Sequence, residues 1–380
     1  MTEMQKNDNS PQPKRFLIGQ LGSYGDCLYA TTIARQIKAD YPDSHVTWAI
    51  GSIYRSILDG NPYIDEIWEF PLSSPKDMFE QWQKFEREAN ERKKQGDFDE
   101  IFLTQIYPNN YKNFDGTVRS SIFRAYNRPI TVPVSPVLYL SPMEVEHVRV
   151  FAESHHLKER KDVILFECSP NSGQSFVTLD FAFKVSKKII ERIPDLCVIL
   201  STNEHFRSED ERIVDGSVLS FRENAELTKY CTILVGCSSG ISWLCTSDWV
   251  KPLPMIQLLT KGTSVYASFV HDHEYQRIPT NSIIEMTDCS VDTLSKCIEI
   301  IINERFEVAR RMYHEQIKIN FNHYVETIDS ALLQNKKYKE ALTSLKYTIK
   351  RYGFCSRIFV NFIYTILKNR CIQLSKKYIR

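Results

Sequence analysis

The sequence lacks an apolar run of the roughly 18 residues that a membrane-spanning helix requires. Its ten cysteines are scattered without C-x-x-C spacing, and no secretory signal precedes the first apolar segment. The pattern therefore does not predict a membrane-embedded chain, a disulfide framework or a zinc site. We expect a cytoplasmic protein with reduced thiols and without a bound metal or other cofactor.

Two nucleotide-binding motifs are also missing. The first predicted turn has glycines at positions 19, 22 and 25, which is not the G-x-G-x-x-G fingerprint, and no acidic residue ends the second predicted strand. The P-loop motif G-x-x-x-x-G-K-[ST] is absent as well. These absences disfavour NAD-dependent hydride transfer and P-loop kinase chemistry. The closest pair of possible metal ligands is His271 and His273, which we interpret as part of a polar loop at a cleft rim.

The charge is unevenly distributed along the chain. Residues 333–380 contain twelve lysines and arginines but only one acidic residue, Glu340, and so carry a net charge of +11. Because the whole chain has a formal charge of +1, residues 1–332 carry −10. A basic segment on an acidic body indicates that the partner of this segment is anionic.

Strand and helix patterns alternate along most of the chain, which is typical of parallel sheets covered by helices. We predict an α/β fold in which two doubly wound, Rossmann-like domains face a cleft. The predicted parts are a disordered lead-in over 1–14, an N-terminal domain over 15–150, a C-terminal domain over 151–325 and a basic helical tail over 326–380. Within them, residues 107–136 are expected to be irregular and residues 217–221 to form a short strand.

The most informative stretch is Phe16-Leu-Ile-Gly-Gln-Leu-Gly-Ser-Tyr-Gly-Asp-Cys-Leu28, which reads as strand, tight turn and helix start. Gly22 and Gly25 allow another molecule to approach the backbone closely. Asp26 follows where the new helix offers unpaired N–H groups, so its carboxylate can either cap the helix or face a ligand above the turn. The spacing alone leaves both roles open.

Two polar loops follow strand patterns in the second predicted domain, Gly236-Cys-Ser-Ser-Gly240 and Ser169-Pro-Asn-Ser-Gly-Gln-Ser175. Hydroxyl groups and backbone N–H groups at a helix start can bind a phosphate, although an ordinary turn with a serine cap has the same pattern. Because both loops are expected at one edge of the sheet, together they favour a nucleotide diphosphate. The predicted donor-binding residues are Ser169, Asn171, Ser172, Gln174, Ser238, Ser239 and Gly240.

These motifs resemble the heptosyltransferase-type glycosyltransferases of family 9 over roughly residues 15–325. The resemblance is carried by Leu21-Gly-Ser-Tyr-Gly-Asp-Cys-Leu28, Tyr41-Pro-Asp-Ser-His-Val-Thr-Trp48, Gly60-Asn-Pro-Tyr-Ile-Asp-Glu-Ile67 and Val235-Gly-Cys-Ser-Ser-Gly-Ile-Ser-Trp-Leu244. It implies a GT-B fold and metal-independent, inverting transfer from a nucleotide-diphosphate sugar to a bacterial surface glycan or glycolipid, of the lipopolysaccharide or capsule type. It also implies that Asp26 is the general base and that the acceptor-side turn is formed by Gly22, Ser23, Tyr24 and Gly25.

The sequence departs from the family pattern on the donor side. Ser238, Ser239, Gly240 and Trp243 stand where the family usually has an acid, a hydroxyl residue, a glycine and a histidine, and no lysine or arginine occurs between residues 169 and 178. The missing positive charge has five possible sources: Lys261, Arg222, Lys112, Arg119 and Arg124. The departures leave two alternatives open, a nucleotide-sugar epimerase of GT-B fold and a non-catalytic sugar-nucleotide-binding or scaffold protein. The donor sugar, the acceptor, the linkage and the oligomeric state are not specified by the sequence.

The C-terminal tail contains two helical patterns. The first runs over 335–352, and the second carries an apolar stripe of Ile358, Phe359, Phe362, Ile363, Ile366 and Leu367 beside basic residues. A basic amphipathic helix suits the surface of an anionic membrane, but a helical pair packed on the body or in a dimer would have the same pattern. Nucleic acid is disfavoured, because the aromatic residues lie on the apolar stripe and not among the basic ones.

Overall fold

The computed structural model describes residues 13–107, 110–170, 173–262, 267–318 and 321–354, together with 356, 358, 360, 362–364 and 367–368. Apart from residues 13 and 14, the predicted lead-in lies outside the described residues, and so do Asn171 and Ser172. The described chain forms two parallel sheets with helices around them. This arrangement confirms the predicted two-domain α/β fold.

The first sheet has four parallel strands in the order β3-β2-β1-β4. They are β1 Arg15–Gly19, β2 His45–Gly51, β3 Glu66–Phe70 and β4 Glu100–Leu103. In β1, the consecutive residues Phe16, Leu17 and Ile18 are fully buried, as expected for an inner strand whose two faces are both covered. The carboxyl end of β1 therefore lies between the carboxyl ends of β2 and β4.

Four α-helices follow in this first half of the chain: α1 Tyr24–Asp40, α2 Met78–Gln95, α3 Arg119–Arg124 and α4 Pro142–Ser154. α1 buries residues around most of its circumference, because the sheet lies on one side and the second domain on the other. The charged helix α2 buries a single face, formed by Met78, Trp82, Phe85 and Ala89. The prediction that 107–136 is irregular is wrong for α3.

The second sheet has six parallel strands in the order β10-β9-β8-β5-β6-β7. They are β5 Asp162–Glu167, β6 Leu196–Ser201, β7 Ile213–Asp215, β8 Ile233–Gly236, β9 Met255–Leu259 and β10 Ile283–Thr287. The strand predicted at 217–221 is wrong, because the chain turns after Gly216, whose carbonyl accepts a hydrogen bond from the N–H of Leu219 at 3.1 Å. The edge strand is instead the three-residue β7, which pairs with β6.

The helices of the second domain are α5 Leu179–Ile190, α6 Glu223–Leu227, α7 Gly240–Leu244, α8 Phe269–Gln276, α9 Val291–Asn303 and α10 Phe306–Tyr313. Three of the longer ones begin at a hydroxyl cap: Thr178 for α5, Ser268 for α8 and Ser290 for α9. The interpretation of His271 and His273 as loop residues is wrong, because both lie on α8.

The C-terminal region continues with α11 Phe321–Ile328, a π-helical turn at Asp329–Leu333 and α12 Tyr338–Tyr352. Tyr324, Ile328, Leu332, Ala341 and Leu345 form a buried apolar cluster with Phe114 of the loop after β4. The hydroxyl of Ser344 donates to the carbonyl of Phe114 at 2.6 Å. Of the two alternatives for the tail, packing on the body therefore applies to the described part, which includes Ile358 and Phe362 of the same cluster. None of the helices in the described ranges is long and apolar enough to cross a bilayer.

A single apolar cluster runs through both domains. It joins residues of the first sheet and α1, such as Ile18 and Tyr29, to residues of the second domain, such as Leu165, Trp243 and Phe269. The two domains consequently share a buried interface next to the carboxyl ends of their strands.

Candidate functional site

A cleft of about 550 Å³ lies between the two domains, at the carboxyl ends of both sheets. From the first domain it is lined by Ser23, Tyr24, Gly25, Ile53, Tyr54 and Pro75. From the second domain it is lined by Glu167, Ser169, Ser201, Thr202, Asn203, Leu219, Phe221, Asn224, Ser239, Gly240 and Ile241. The structure thus brings the predicted acceptor-side turn and part of the predicted donor loops together around one space.

The turn between β1 and α1 is held in place by a neighbouring strand. The side-chain oxygen of Gln105, just after β4, accepts hydrogen bonds from the backbone N–H groups of Leu21 and Gly22 at 2.8 and 3.1 Å. The hydroxyl of Tyr24 donates to the carbonyl of Ile53 at 2.9 Å. Ser23, Tyr24 and Gly25 line the cleft as a result, whereas Gly22 is buried and does not.

Asp26 lies in the first turn of α1, and its carboxylate retains 27% of its exposure. Its Oδ1 atom lies 3.8 Å from the guanidinium of Arg119, and the residue is not itself one of those that line the cleft. Burial raises the pKa of Asp26 above its ordinary value, and the positive charge of Arg119 opposes that rise. The N-cap residue of α1 is Ser23, and Asp26 is the acidic residue of the first helical turn.

Arg119 also contacts the second domain. Its guanidinium lies over the ring of Trp243, 4.4 Å from the ring centroid, and that ring stacks on Phe269 with centroids 3.8 Å apart. Gly25 allows this contact between the domains, because a Cβ atom there would lie 3.1 Å from Trp243. Trp243, which replaces the histidine of the family pattern, is therefore a packing residue that holds α7 and α8 against α1.

On the side of the predicted donor loops, hydroxyl and amide groups surround the strand ends. The hydroxyls of Ser169 and Thr202 are 2.9 Å apart, and Ser201, Asn203 and Asn224 line the same wall. The opposite wall is aromatic: the ring of Tyr24 lies 4.8 Å from that of Tyr54 and 4.4 Å from that of Phe221. Such a combination suits a ligand that has both hydroxyl groups and a flat or apolar face.

The carboxylate of Glu167, at the end of β5, occupies the position expected for a phosphate. It accepts hydrogen bonds from the backbone N–H groups of Cys237 and Ile241 at 2.8 and 3.1 Å, and from the hydroxyls of Ser239 and Ser242. These four donors of the turn after β8 and the start of α7 are thus already used within the protein. An incoming diphosphate would also meet a negative charge there.

The other predicted donor residues are divided between the cleft and the interior. Ser169, Ser239 and Gly240 line the cleft. Ser238 is buried and its hydroxyl donates to the carbonyl of Ala267, while the amide of Gln174 donates to the carbonyl of Ser238 at 3.2 Å. Both side chains consequently stabilise the loop and do not line the cleft.

None of the five bases considered as sources of positive charge lines the cleft, and the cleft-lining residues described by the structure include no Lys, Arg or His. Arg222 instead donates to Glu144 at 2.7 Å and to the carbonyls of Ser56 and Asp59 at 2.8 and 3.0 Å. Arg124 pairs with the buried Asp115 at 2.5 Å. In the described ranges, no three His, Cys, Asp or Glu side chains are grouped so that they could hold a metal ion.

Sequence reasoning missed Glu167, Thr202, Asn203 and the aromatic wall. Glu167 had a weak signal, since a charged residue ends an otherwise apolar strand immediately before a polar loop. Thr202 and Asn203 follow β6 in the same way. The contact between Tyr24 and Phe221 had no signal in the sequence, because these residues are far apart along the chain and meet only when the two domains pack together.

Comparison with solved structures identifies proteins of similar architecture. The ADP-heptose LPS heptosyltransferase II of E. coli aligns with 77% of this chain and 99% of its own, at 13% identity and a TM-score of 0.50. A glycosyl transferase of family 9 from Veillonella parvula aligns with 84% of this chain and 97% of its own, at 13% identity and a TM-score of 0.49. A protein from Listeria monocytogenes described as a UDP-N-acetylglucosamine 2-epimerase aligns with 84% of this chain and 96% of its own, at 11% identity and a TM-score of 0.47.

No protein-family model matches the sequence, and no curated protein matches it either. At 13% identity, the similarity to the E. coli heptosyltransferase establishes the architecture and not the substrate. The chain has the two-domain GT-B fold of glycosyltransferases.

Proposed function

We propose that the protein is a glycosyltransferase that moves a sugar from a nucleotide-diphosphate sugar to a bacterial surface glycan or glycolipid of the lipopolysaccharide or capsule type. The observation that carries this proposal is the position of Asp26 at the start of α1, beside a cleft whose other side is formed by hydroxyl residues at strand ends. The GT-B architecture shared with a heptosyltransferase supports the same reaction class.

In the proposed reaction, Asp26 accepts the proton of the acceptor hydroxyl while that oxygen attacks the anomeric carbon. The bond from this carbon to the nucleotide diphosphate breaks, the diphosphate leaves with the bonding electrons, and the anomeric configuration inverts. The raised pKa of Asp26 makes it a stronger base than an exposed aspartate, and Arg119 favours its ionised form. The reaction as proposed uses no metal, so activity should persist when EDTA is added.

The donor contacts in this proposal come from neutral groups. Ser169, Thr202, Asn203 and Asn224 can donate to or accept from the hydroxyls of a sugar, and the Tyr24–Phe221 wall can contact a ring face. The position proposed for the protein is cytoplasmic, at the inner face of the cytoplasmic membrane, where a glycolipid acceptor would be presented. Nucleic acid is not part of the proposal.

The proposal is tested by thermal unfolding of the purified protein with a panel of nucleotides and nucleotide sugars. A ligand at 100 times its Kd stabilises the native state by about 2.7 kcal/mol, which is easily detected. We expect one class of diphosphate nucleotide to raise Tm selectively. If no member of the panel raises Tm at millimolar concentration, the proposed donor site is refuted.

Glu167 favours a second candidate function, a non-catalytic sugar-nucleotide-binding or scaffold protein. A carboxylate at the expected phosphate position, in a cleft lined by no described base, is an unusual arrangement for stabilising a diphosphate leaving group. This candidate predicts selective ligand binding without turnover in the presence of any acceptor. An epimerase would instead convert the nucleotide sugar with no acceptor added.

A further inference from the structure

The outer face of α12 carries a line of basic residues. Lys339, Lys346 and Lys350 are exposed and spaced by seven and four residues, so they project from the same side of the helix. Leu342 lies beside them and is 58% exposed. We call Lys339, Lys346 and Lys350 the basic stripe.

The helical residues that follow present apolar side chains outward. Ile358 and Phe362 are buried in the cluster beneath, on the side that faces the body. Val360, Ile363, Tyr364 and Leu367 recur at helical spacing on the opposite side and are 40–64% exposed. We call these four residues the outward apolar face. Contiguous exposed apolar surface of this kind marks an interaction site.

This region also adjoins the acceptor side of the cleft. Arg351 of α12 donates to Asp115 and to Ser120 at 3.0 Å, and to the carbonyl of His271 at 2.6 Å. Ser120 is the neighbour of Arg119, which faces Asp26. The C-terminal helices therefore stand on the same edge of the first sheet as the proposed catalytic turn.

We propose that the basic stripe and the outward apolar face together dock the protein on an anionic lipid bilayer. Apolar side chains that enter the headgroup boundary and lysines that pair with anionic headgroups are the two components of interfacial binding. A second copy of the chain fits less well, because a symmetric dimer would oppose two tails that each carry +11. The inference deepens the proposed function, since a membrane glycolipid would then reach Asp26 from the docked side.

The test is co-sedimentation of the full-length protein with sucrose-loaded vesicles. Vesicles of phosphatidylcholine mixed with phosphatidylglycerol should sediment the protein, vesicles of phosphatidylcholine alone should not, and added salt should weaken the binding. Lys346→Ala should weaken it about fivefold, as expected for one lysine near an anionic surface. Ile363→Asp combined with Leu367→Asp should weaken it about tenfold or more.

Matched controls separate docking from general effects of charge or folding. Lys94→Ala, at the exposed end of α2, and Met143→Asp, at an exposed position of α4, should leave vesicle binding unchanged. Equal loss in these controls would overturn the proposal, as would equal binding to neutral vesicles. A concentration-dependent dimer in light scattering that Ile363→Asp with Leu367→Asp abolishes would assign the surface to a second copy instead. Nucleotide-induced stabilisation, measured without vesicles, tests the proposed function separately.

Discussion

The carboxylates of Glu167, which lines the cleft, and of Asp26, in the first turn of α1, are held in different ways. Glu167 is 2% exposed and accepts hydrogen bonds from four groups of the turn after β8. Among the described residues, Asp26 has the guanidinium of Arg119 at 3.8 Å as its ion-pair partner, and it remains partly open to solvent. A group already saturated with donors stabilises structure, whereas one with free lone pairs can accept a proton. This difference supports Asp26 as the base and a structural role for Glu167.

Replacement of Asp26 by Asn tests the assignment at the level of one atom. The amide keeps the size of the side chain but cannot accept the acceptor proton, so turnover should fall by about 10²–10⁴-fold. Donor affinity, measured as the nucleotide-induced rise in Tm, should change little. The control is Asp43→Asn, at an exposed position in the turn after α1, and it should retain full activity. Undiminished turnover in Asp26→Asn would remove this residue from the mechanism.

Asp272 on α8 is a buried carboxyl group whose two oxygens have no hydrogen-bond partner among the described residues. Burial raises its pKa to about 7, against the attraction of Arg119 and Arg351. An unfolded aspartate has a pKa of about 3.9, so the native state takes up a proton in the window from about pH 4 to 7. The contribution of Asp272 to stability is therefore present at the lower pH and is lost as the pH rises through this window.

Asp272→Asn mimics the protonated form at every pH. The Tm of the variant relative to the wild type should consequently rise as the pH is increased from about 4 to 8, measured by circular dichroism. The Tm of the variant should still decline somewhat as the pH rises, because burial also raises the pKa of Glu285 to about 7. Asp180→Asn, at an exposed position of α5, is the reference. A Tm difference that does not depend on pH would mean that Asp272 ionises normally.

At the scale of elements, the sequence predicted what is encoded locally. β1, its glycine turn and α1 are contiguous, so periodicity and turn residues specify them. The start of α8 is different, because its first turn depends on Glu285 of β10, which accepts from the hydroxyl of Ser268 at 2.9 Å and from the N–H of Val270 at 3.2 Å. The role of Glu167 is likewise defined by a turn 70 residues further on. Contacts of this range have no local signal.

α12 is predicted to depend on one buried ionic contact. The guanidinium of Arg351 is 8% exposed and shares the fully buried Asp115 with Arg124. Removing one partner of a buried ion pair typically costs about 3–5 kcal/mol, and here Arg124 should offset part of that loss. Arg351→Ala should therefore lower the unfolding free energy by about 2–3 kcal/mol and expose α12 to limited proteolysis. The control is Lys350→Ala at the exposed neighbouring position, which should change neither the unfolding free energy nor the proteolysis of α12.

At the scale of the whole molecule, the distance between the two domains is a further constraint. It is determined by contacts between them and not by either domain alone. Arg222 was a candidate for ligand contact, yet its guanidinium crosses to the first domain and donates to the carbonyls of Ser56 and Asp59 as well as to Glu144. Arg222 as a whole residue is 5% exposed, so these contacts are made within the interface. The geometry of the cleft therefore depends on a residue that does not line it, and composition cannot indicate this.

Arg222→Ala should loosen the two domains without unfolding either one. The change leaves the two carbonyls and Glu144 without their charged donor, at a cost of about 1–3 kcal/mol that opening to water can relieve. We expect a larger radius of gyration by small-angle scattering, together with weaker binding of the nucleotide found in the ligand panel, because the Tyr24–Phe221 wall would separate. Arg149→Ala, which removes two exposed ion pairs on α4, should alter neither quantity. If Arg222→Ala scattered like the wild type and bound the nucleotide equally well, the shared apolar cluster alone would suffice to hold the domains together, and the cross-domain contacts of Arg222 would be dispensable for the cleft.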